Sequence, residues 1–329
     1  MRPAILFLAL AALAAAQPPR SYPTIGTIHR LDPALDALIA PDAKIEVLAT
    51  GFDWSEGPVW DAAGKRLLFS DIPRNSIYAW TPEKGIELFL KPSGYTGAAA
   101  YGREPGSNGL AFDKQGRLIL CEHGDRRIAR MDMDGGKVTL ADRYQGKRLN
   151  SPNDLVVHSS GDVYFTDPIY GLPQGAKDPR RELDFCGVFR WSARDGSVTL
   201  LYKDLPRPNG IALSPDEKTL YVANSEGSKA IWMAFPVLAD GNVGPGRVFA
   251  DATPMKLRGG PDGMKVDRDG NIWSTGPGGI HVMTPQGKLL GRIETGEATA
   301  NLAFGDDGST LYITADMYLC RVKTTAKGW

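Results

Sequence analysis

Short apolar runs broken by turn residues recur along the chain from residue 44 onward, each copy opening on a polar side chain. The openings are Glu56-Gly-Pro-Val-Trp, Asn108-Gly-Leu-Ala-Phe, Asn153-Asp-Leu-Val-Val, Asn209-Gly-Ile-Ala-Leu and Asp262-Gly-Met-Lys-Val. A sixth, Ala300-Asn-Leu-Ala-Phe, carries its polar residue one place late. Eight residues after each start stand Gly64, Gly116, Gly161, Glu217, Gly270 and Gly308, and a second β-rich run follows each of them. An apolar run, a tight turn and a second apolar run make a β-hairpin. The starts lie 52, 45, 56, 53 and 38 residues apart, which leaves room for about four strands of ordinary length in each unit. Four-stranded units repeated radially form a β-propeller. The expected fold is therefore all-β, a six-bladed β-propeller with a short N-terminal helix. An open β-sandwich would give no reason for six copies. Residues 44–52 (KIEVLATGF) read as an extra strand that joins the last blade and closes the ring.

Ahead of the repeats, LDPALDALIAP predicts one short helix outside the main body, with Asp32 as N-cap, Pro33 at the first helical position and Pro41 as the stop. The first residues carry a basic Arg2, an apolar run over 4–13 and the small residues Ala14, Ala15 and Ala16. That order is the pattern of a secretory signal peptide. The domain reading is then 1–16 signal peptide, 17–43 N-terminal extension, and 44–329 propeller, in a protein exported to the periplasm or secreted. No later segment has the roughly 18 uncharged apolar residues of a membrane span.

Charge and composition narrow the partners. Lys plus Arg and Asp plus Glu both number 38, so no general electrostatic pull toward nucleic acid or an anionic membrane is expected. The 38 glycines and 24 prolines favour turns over long helices. Cys121, Cys186 and Cys320 form neither a zinc pattern nor a disulfide framework, and buried free thiols are the expectation.

The first strand of a propeller blade lines the central channel, so the openers Glu56, Asn108, Asn153, Asn209 and Asp262 converge at one mouth. Carboxylate and amide oxygens suit Ca²⁺ or a similar divalent cation, and the two acidic openers would balance its charge. Asn-Gly and Asp-Gly are also ordinary turn pairs. That explains any single opener but not the set, because Glu56 is no turn former and Asn153 is followed by Asp. Loops at the same mouth carry Asp71, Glu122 with His123, Asp167 and Asn224, and long connections over 92–107 and 168–186 read as lids. His123 either assists proton transfer or is a structural histidine bonded to backbone. A serine nucleophile is disfavoured, since no G-x-S-x-G elbow is present.

The segments Glu56-Gly-Pro-Val-Trp, Leu149-Asn-Ser-Pro-Asn153-Asp-Leu, Pro208-Asn209-Gly and Pro261-Asp262-Gly-Met resemble the SMP-30/gluconolactonase (regucalcin-like) family. Cys121-Glu-His-Gly and Tyr164-Phe-Thr-Asp167-Pro are similar to its bacterial gluconolactonase branch. The resemblance covers roughly residues 32–320. It implies one divalent cation in the channel, most often Ca²⁺ with Mn²⁺, Mg²⁺ or Zn²⁺ as alternatives, and hydrolysis of a small-molecule sugar lactone or similar ester. It puts metal ligands at Glu56, Asn209 and Asp262, with Asn153 binding metal or substrate. On that reading the cation polarises the lactone carbonyl, and water attacks with Asp262 as general base or the cation itself as activator. Asn108, Asn153, His123 and Asp167 are the expected substrate contacts. The rival expectations are a metal-dependent arylesterase or phosphotriesterase and a non-catalytic extracytoplasmic binding propeller. A strictosidine-synthase-like propeller would leave the ligand set unexplained.

Overall fold

The computed structural model describes residues 20–329. The expected signal peptide over 1–16 lies outside the described residues. The six glycine-punctuated units fold as six antiparallel sheets whose strands follow one another outward from the channel. Blade 1 runs Ser55–Asp61, Arg66–Asp71, Ser76–Thr81 and Gly85–Leu90, and blade 2 runs Ser107–Phe112, Leu118–Glu122, Arg127–Met131 and Lys137–Ala141. Blade 3 runs Leu155–Val157, Val163–Asp167, Gly187–Trp191 and Val198–Tyr202, and blade 4 runs Pro208–Leu213, Thr219–Asn224, Ile231–Pro236 and Arg247–Asp251. Blade 5 contains Met264–Val266, Ile272–Gly276, Gly279–Met283 and Leu289–Glu294. Blade 6 takes Thr299–Gly305, Thr310–Ala315 and Tyr318–Lys323 from the C-terminal end and Ile45–Thr50 from the N-terminal end. Tyr318 pairs with Thr50 and Cys320 with Val47, so the strand expected to close the ring does so.

The N-terminal segment adds more than a helix. Thr24–Ile25 extends blade 6 by pairing with Ile45–Thr50, and Thr27–Arg30 extends blade 5 by pairing with Leu289–Glu294. The short helix is a 3-10 turn over Pro33–Ala37, capped by Asp32, whose Oδ1 accepts the Ala34 N–H at 2.9 Å. Its Leu35, with Ile39 just beyond, is fully buried in the cluster between blades 5 and 6, against residues such as Trp273, Ile293 and Ile313. Complete burial of each of these two side chains contributes about 1.5–3 kcal/mol. The segment therefore staples the seam at which the chain ends meet.

Apolar packing lies between blades rather than along the axis. Trp60 of blade 1 stacks on Tyr312 of blade 6 at 5.7 Å between ring centroids, nearly coplanar at 10°. Near the axis the blades touch through backbone. Gly109 N donates to Asn153 O at 2.8 Å, and Gly263 N donates to Ala300 O at 2.9 Å. A Cβ on Gly57 would stand 1.9 Å from Asn108 O, and one on Gly210 would stand 2.1 Å from Asp262 O. The recurrent glycine after an opener is thus set by blade-to-blade approach, which a side chain would block. The ladders also slip at Glu56/Val59, Ser107/Leu110, Pro208/Ile211 and Thr299/Asn301. Such irregularities bend and twist a strand locally, and here they lie where the first strands meet the channel.

Candidate functional site

A cavity of about 500 Å³ opens at the channel mouth, and Glu56, Asn108, Asn153, Asn209 and Asp262 all line it. The ladder positions that begin five successive blades therefore meet in one space. The approach to three of these openers is held by the end of the second strand of the same blade. Asp71 accepts the backbone N–H groups of Asp53 and Trp54 at 3.1 and 3.2 Å, just ahead of Glu56. Asp167 accepts those of Asn150 and Ser151 at 2.7 and 2.8 Å, just ahead of Asn153. Asn224 accepts that of Arg207 at 2.9 Å, two residues before Asn209. These side chains set the loops that present the openers.

Two of the sequence-derived substrate contacts lie outside the cavity lining. Asp167 is fully buried, and burial pushes its carboxyl up to about 7 against its two backbone donors. Its short hydrogen bonds to residues 150 and 151 account for where it points. His123 is fully buried behind Asn108, with its Nε2 3.5 Å from Asn108 Nδ2 and its Nδ1 3.3 Å from Glu104 Oε2. Glu122 is turned away into ion pairs with Arg127 and Lys137 at 2.5 and 2.7 Å.

The amide orientations follow from the partners. Ser225 Oγ donates its one proton to Pro261 O at 2.6 Å, so it can only accept from Asn209 Nδ2, 2.8 Å away. Asn209 Oδ1 is left buried with no hydrogen-bond partner, as is Asn108 Oδ1. A buried, unpaired carbonyl oxygen is costly unless something positive meets it.

The carboxylates carry the same message. Burial raises the Glu56 carboxyl above the usual range, as does the charge of Asp154, while the N–H of Gly57 at 2.6 Å and Asn301 Nδ2 at 3.1 Å oppose the shift. Asp262 keeps part of its surface open to the cavity, yet its surroundings desolvate it. Its carboxyl is raised well above the ordinary value, first by burial and then by the charges of Glu56, Asp154 and Glu104. No Lys or Arg among the described residues lines the cavity. Among the described residues no group of three or more His, Cys, Asp or Glu side chains is arranged to hold a metal ion. The donor set is instead two carboxylates completed by amide oxygens. Its excess negative charge and bare acceptors fit a hard divalent cation.

Four contributors escaped the sequence reading. Glu104, from the 92–107 connection, and Tyr170, from the 168–186 connection, line the cavity. Asn301 reaches Glu56. Asp154, which stands where blades 1, 2, 4 and 5 have glycine, is buried beside the site with Oδ2 unpaired and with Lys265 as its nearby positive charge. The last two were marked in the sequence by departures from the opener-Gly pattern. The first two sit in loops with no periodicity to read.

The SMP-30/gluconolactonase/LRE-like region, as a family profile, matches residues 54–316. A gluconolactonase of Zymomonas mobilis subsp. mobilis is 43% identical over 317 residues, covering 93% of this chain and 88% of its own length. A pentonolactonase of Haloferax volcanii is 28% identical over 272 residues, or 82% of this chain and 83% of that one. Among solved structures, a gluconolactonase of Xanthomonas campestris superimposes with a TM-score of 0.80 at 34% identity, covering 94% of this chain and 99% of that chain.

Proposed function

The chain belongs to the SMP-30/gluconolactonase/LRE-like family, and from that membership together with the cavity we propose that it hydrolyses sugar lactones with a divalent cation, Ca²⁺ foremost, as cofactor. The observation that carries the cation is the meeting of Glu56, Asp262 and the bare Asn209 Oδ1 in one cavity that no Lys or Arg lines among the described residues. Glu56, Asn153, Asn209 and Asp262 would hold it. When bound, such an ion supplies positive charge against the lactone carbonyl oxygen as that oxygen becomes an oxyanion.

The rest of the chemistry belongs to the protein. Asp262 accepts a proton from the water that adds to the carbonyl carbon. The ring C–O bond then breaks, the ring oxygen takes that proton back, and a hydroxy acid leaves. Asn209 is kept in one orientation by Ser225, and Glu56 by Gly57 N–H and Asn301, so neither must reorganise during the reaction. Asn108, fixed from behind by His123, turns a free amide oxygen toward ring hydroxyls. The named activities of the gluconolactonase and pentonolactonase relatives support an aldonolactone as substrate.

A pH-indicator assay over aldonolactones, simple lactones, an aryl ester and a phosphotriester tests this reading. Acid release from several aldonolactones, abolished by a chelator and restored by one added metal, is expected. Undiminished hydrolysis in chelator would remove the cation from the proposal. Turnover of the aryl ester or phosphotriester alone would remove the lactone.

A further inference from the structure

Glu104 is a third cavity carboxylate, apart from the ring of blade openers. It comes from the connection between Gly85–Leu90 and Ser107–Phe112, and the return leg of that connection is built into blade 2. His123 N donates to Gly106 O and Gly124 N donates to Pro105 O, both at 3.2 Å. Tyr101 O–H donates to His123 O at 3.3 Å, and Tyr101 packs against Tyr95 at 4.7 Å between ring centroids. The loop thus holds Glu104 in place although its side chain is about one-third exposed, at 35%.

The polar environment of Glu104 is one-sided. Behind it stands His123, whose Nε2 is committed to Asn108 and whose Nδ1 faces Glu104 Oε2 at 3.3 Å. With Nε2 accepting from the amide, Nδ1 carries the proton. Nδ1 makes no hydrogen bond of good geometry, and among the described residues the Glu104 carboxylate accepts none. In front of it is the cavity, which no Lys or Arg lines among the described residues. A carboxylate so placed has open acceptor positions aimed at a space that must receive an uncharged ring bearing O–H donors.

We propose that Glu104, held at the cavity by the hydrogen bonds of its loop, is the residue that reads the hydroxyl groups of the lactone and so selects polyhydroxylated rings over bare ones. The inference rests on the lactone reading above and adds to it a residue and a basis for substrate choice. A site built to pair with substrate O–H groups discriminates strongly against analogues that lack them. Hydrogen bonds to a charged acceptor lie at the strong end of the range.

The test compares wild type, Glu104→Gln and Glu104→Ala, each loaded with the metal that supports activity, on glucono-δ-lactone and on δ-valerolactone. Because the Glu104 charge also acts on Asp262 whatever the substrate, the readout is the ratio of the two lactones. Glu104→Ala should lower kcat/KM on glucono-δ-lactone relative to δ-valerolactone by about tenfold or more, mainly through a raised KM on the former. Glu104→Gln, which keeps the shape and one acceptor, should fall between. Equal losses on the two lactones, no loss on either, or a loss confined to kcat would overturn the inference. A folded wild-type protein inactive on both lactones would overturn the lactone reading itself, and this inference with it. Unchanged melting temperatures in the variants exclude misfolding as the cause.

Discussion

Asn301 Nδ2 donates to Glu56 Oε2 at 3.1 Å, so the last blade holds the first blade's channel carboxylate. A Cβ on Gly263 would lie 2.0 Å from the Asn301 side chain, so blade 5 leaves room for this reach. The sixth unit's late polar residue therefore serves as an orienting group. Groups that orient a ligand typically govern metal affinity by about 10- to 100-fold. Asn301→Ala should weaken Ca²⁺ binding by about tenfold or more while leaving the circular dichroism of the propeller unchanged. Calorimetric titration of the purified protein reads the affinity, and a wild-type value in Asn301→Ala would refute the role.

Glu56→Gln and Asp262→Asn should each lower lactone hydrolysis by about 100-fold or more, because each removes a charge from the cation site and Asp262→Asn also removes the proton acceptor. Their effect on stability should run the other way in the absence of metal. The two carboxylates are desolvated, and the charge of Glu56 raises the Asp262 carboxyl. Neutralising either one relieves repulsion in the metal-free protein. Thermal unfolding in chelator should therefore occur at a higher temperature in the variants than in wild type, and the rise caused by added Ca²⁺ should shrink or vanish. A full Ca²⁺-dependent rise in both variants would exclude these residues as ligands.

The six blades were legible because two signals had to agree in each unit, a polar opener and a turn eight residues on. The added strands Thr24–Ile25 and Thr27–Arg30 were not. They are too short for a period, and what fixes them is tertiary. Gly26 has φ 65°, and a Cβ there would lie 2.0 Å from Glu294 O. In the site, the openers could be placed because ladder position determines where they point. Asp167 ends the strand Val163–Asp167, but its contact with Asn150 and Ser151 depends on the preceding loop doubling back. Glu104 had no such guide, since a loop's path depends on hydrogen bonds such as Gly124 N to Pro105 O rather than on a repeat.

Gly210→Ala tests the backbone contact behind the opener-Gly pattern. The new methyl would stand 2.1 Å from Asp262 O and 2.9 Å from Gly263 Cα, so blade 4 and blade 5 must separate. Overpacking of this kind costs about 1–3 kcal/mol, and the strain falls on the peptide that carries Asp262. Stability and hydrolysis should therefore drop together. Gly227→Ala is the control for stability, because nothing lies within 4 Å of its added Cβ and its φ is unexceptional. Denaturant unfolding of both variants measures the difference, and equal stabilities would refute the close approach.

His281 should make folding weaker in mild acid. The imidazole is buried, and burial together with the Arg292 charge lowers its pKa to about 4, while the hydrogen bond to Pro277 O, at 2.9 Å from Nε2, opposes the shift. The usual value in an unfolded chain is about 6.5. Between these values the unfolded chain binds a proton that the folded protein refuses, so stability falls as pH drops from about 6.5 toward about 4. Above that window His281 contributes no pH dependence. The full effect is about 3 kcal/mol, taking 1.36 kcal/mol per pH unit. Asp167 acts with the opposite sign, because burial raises its carboxyl to about 7 and its contribution is lost as pH rises toward that value. The informative quantity is therefore the difference between wild type and His281→Gln, which keeps a donor for Pro277 O but cannot titrate. Urea unfolding at pH 7, 5.5 and 4.5 should show wild type losing stability relative to His281→Gln as pH falls. Parallel pH profiles for the two proteins would show that His281 does not resist protonation in the fold.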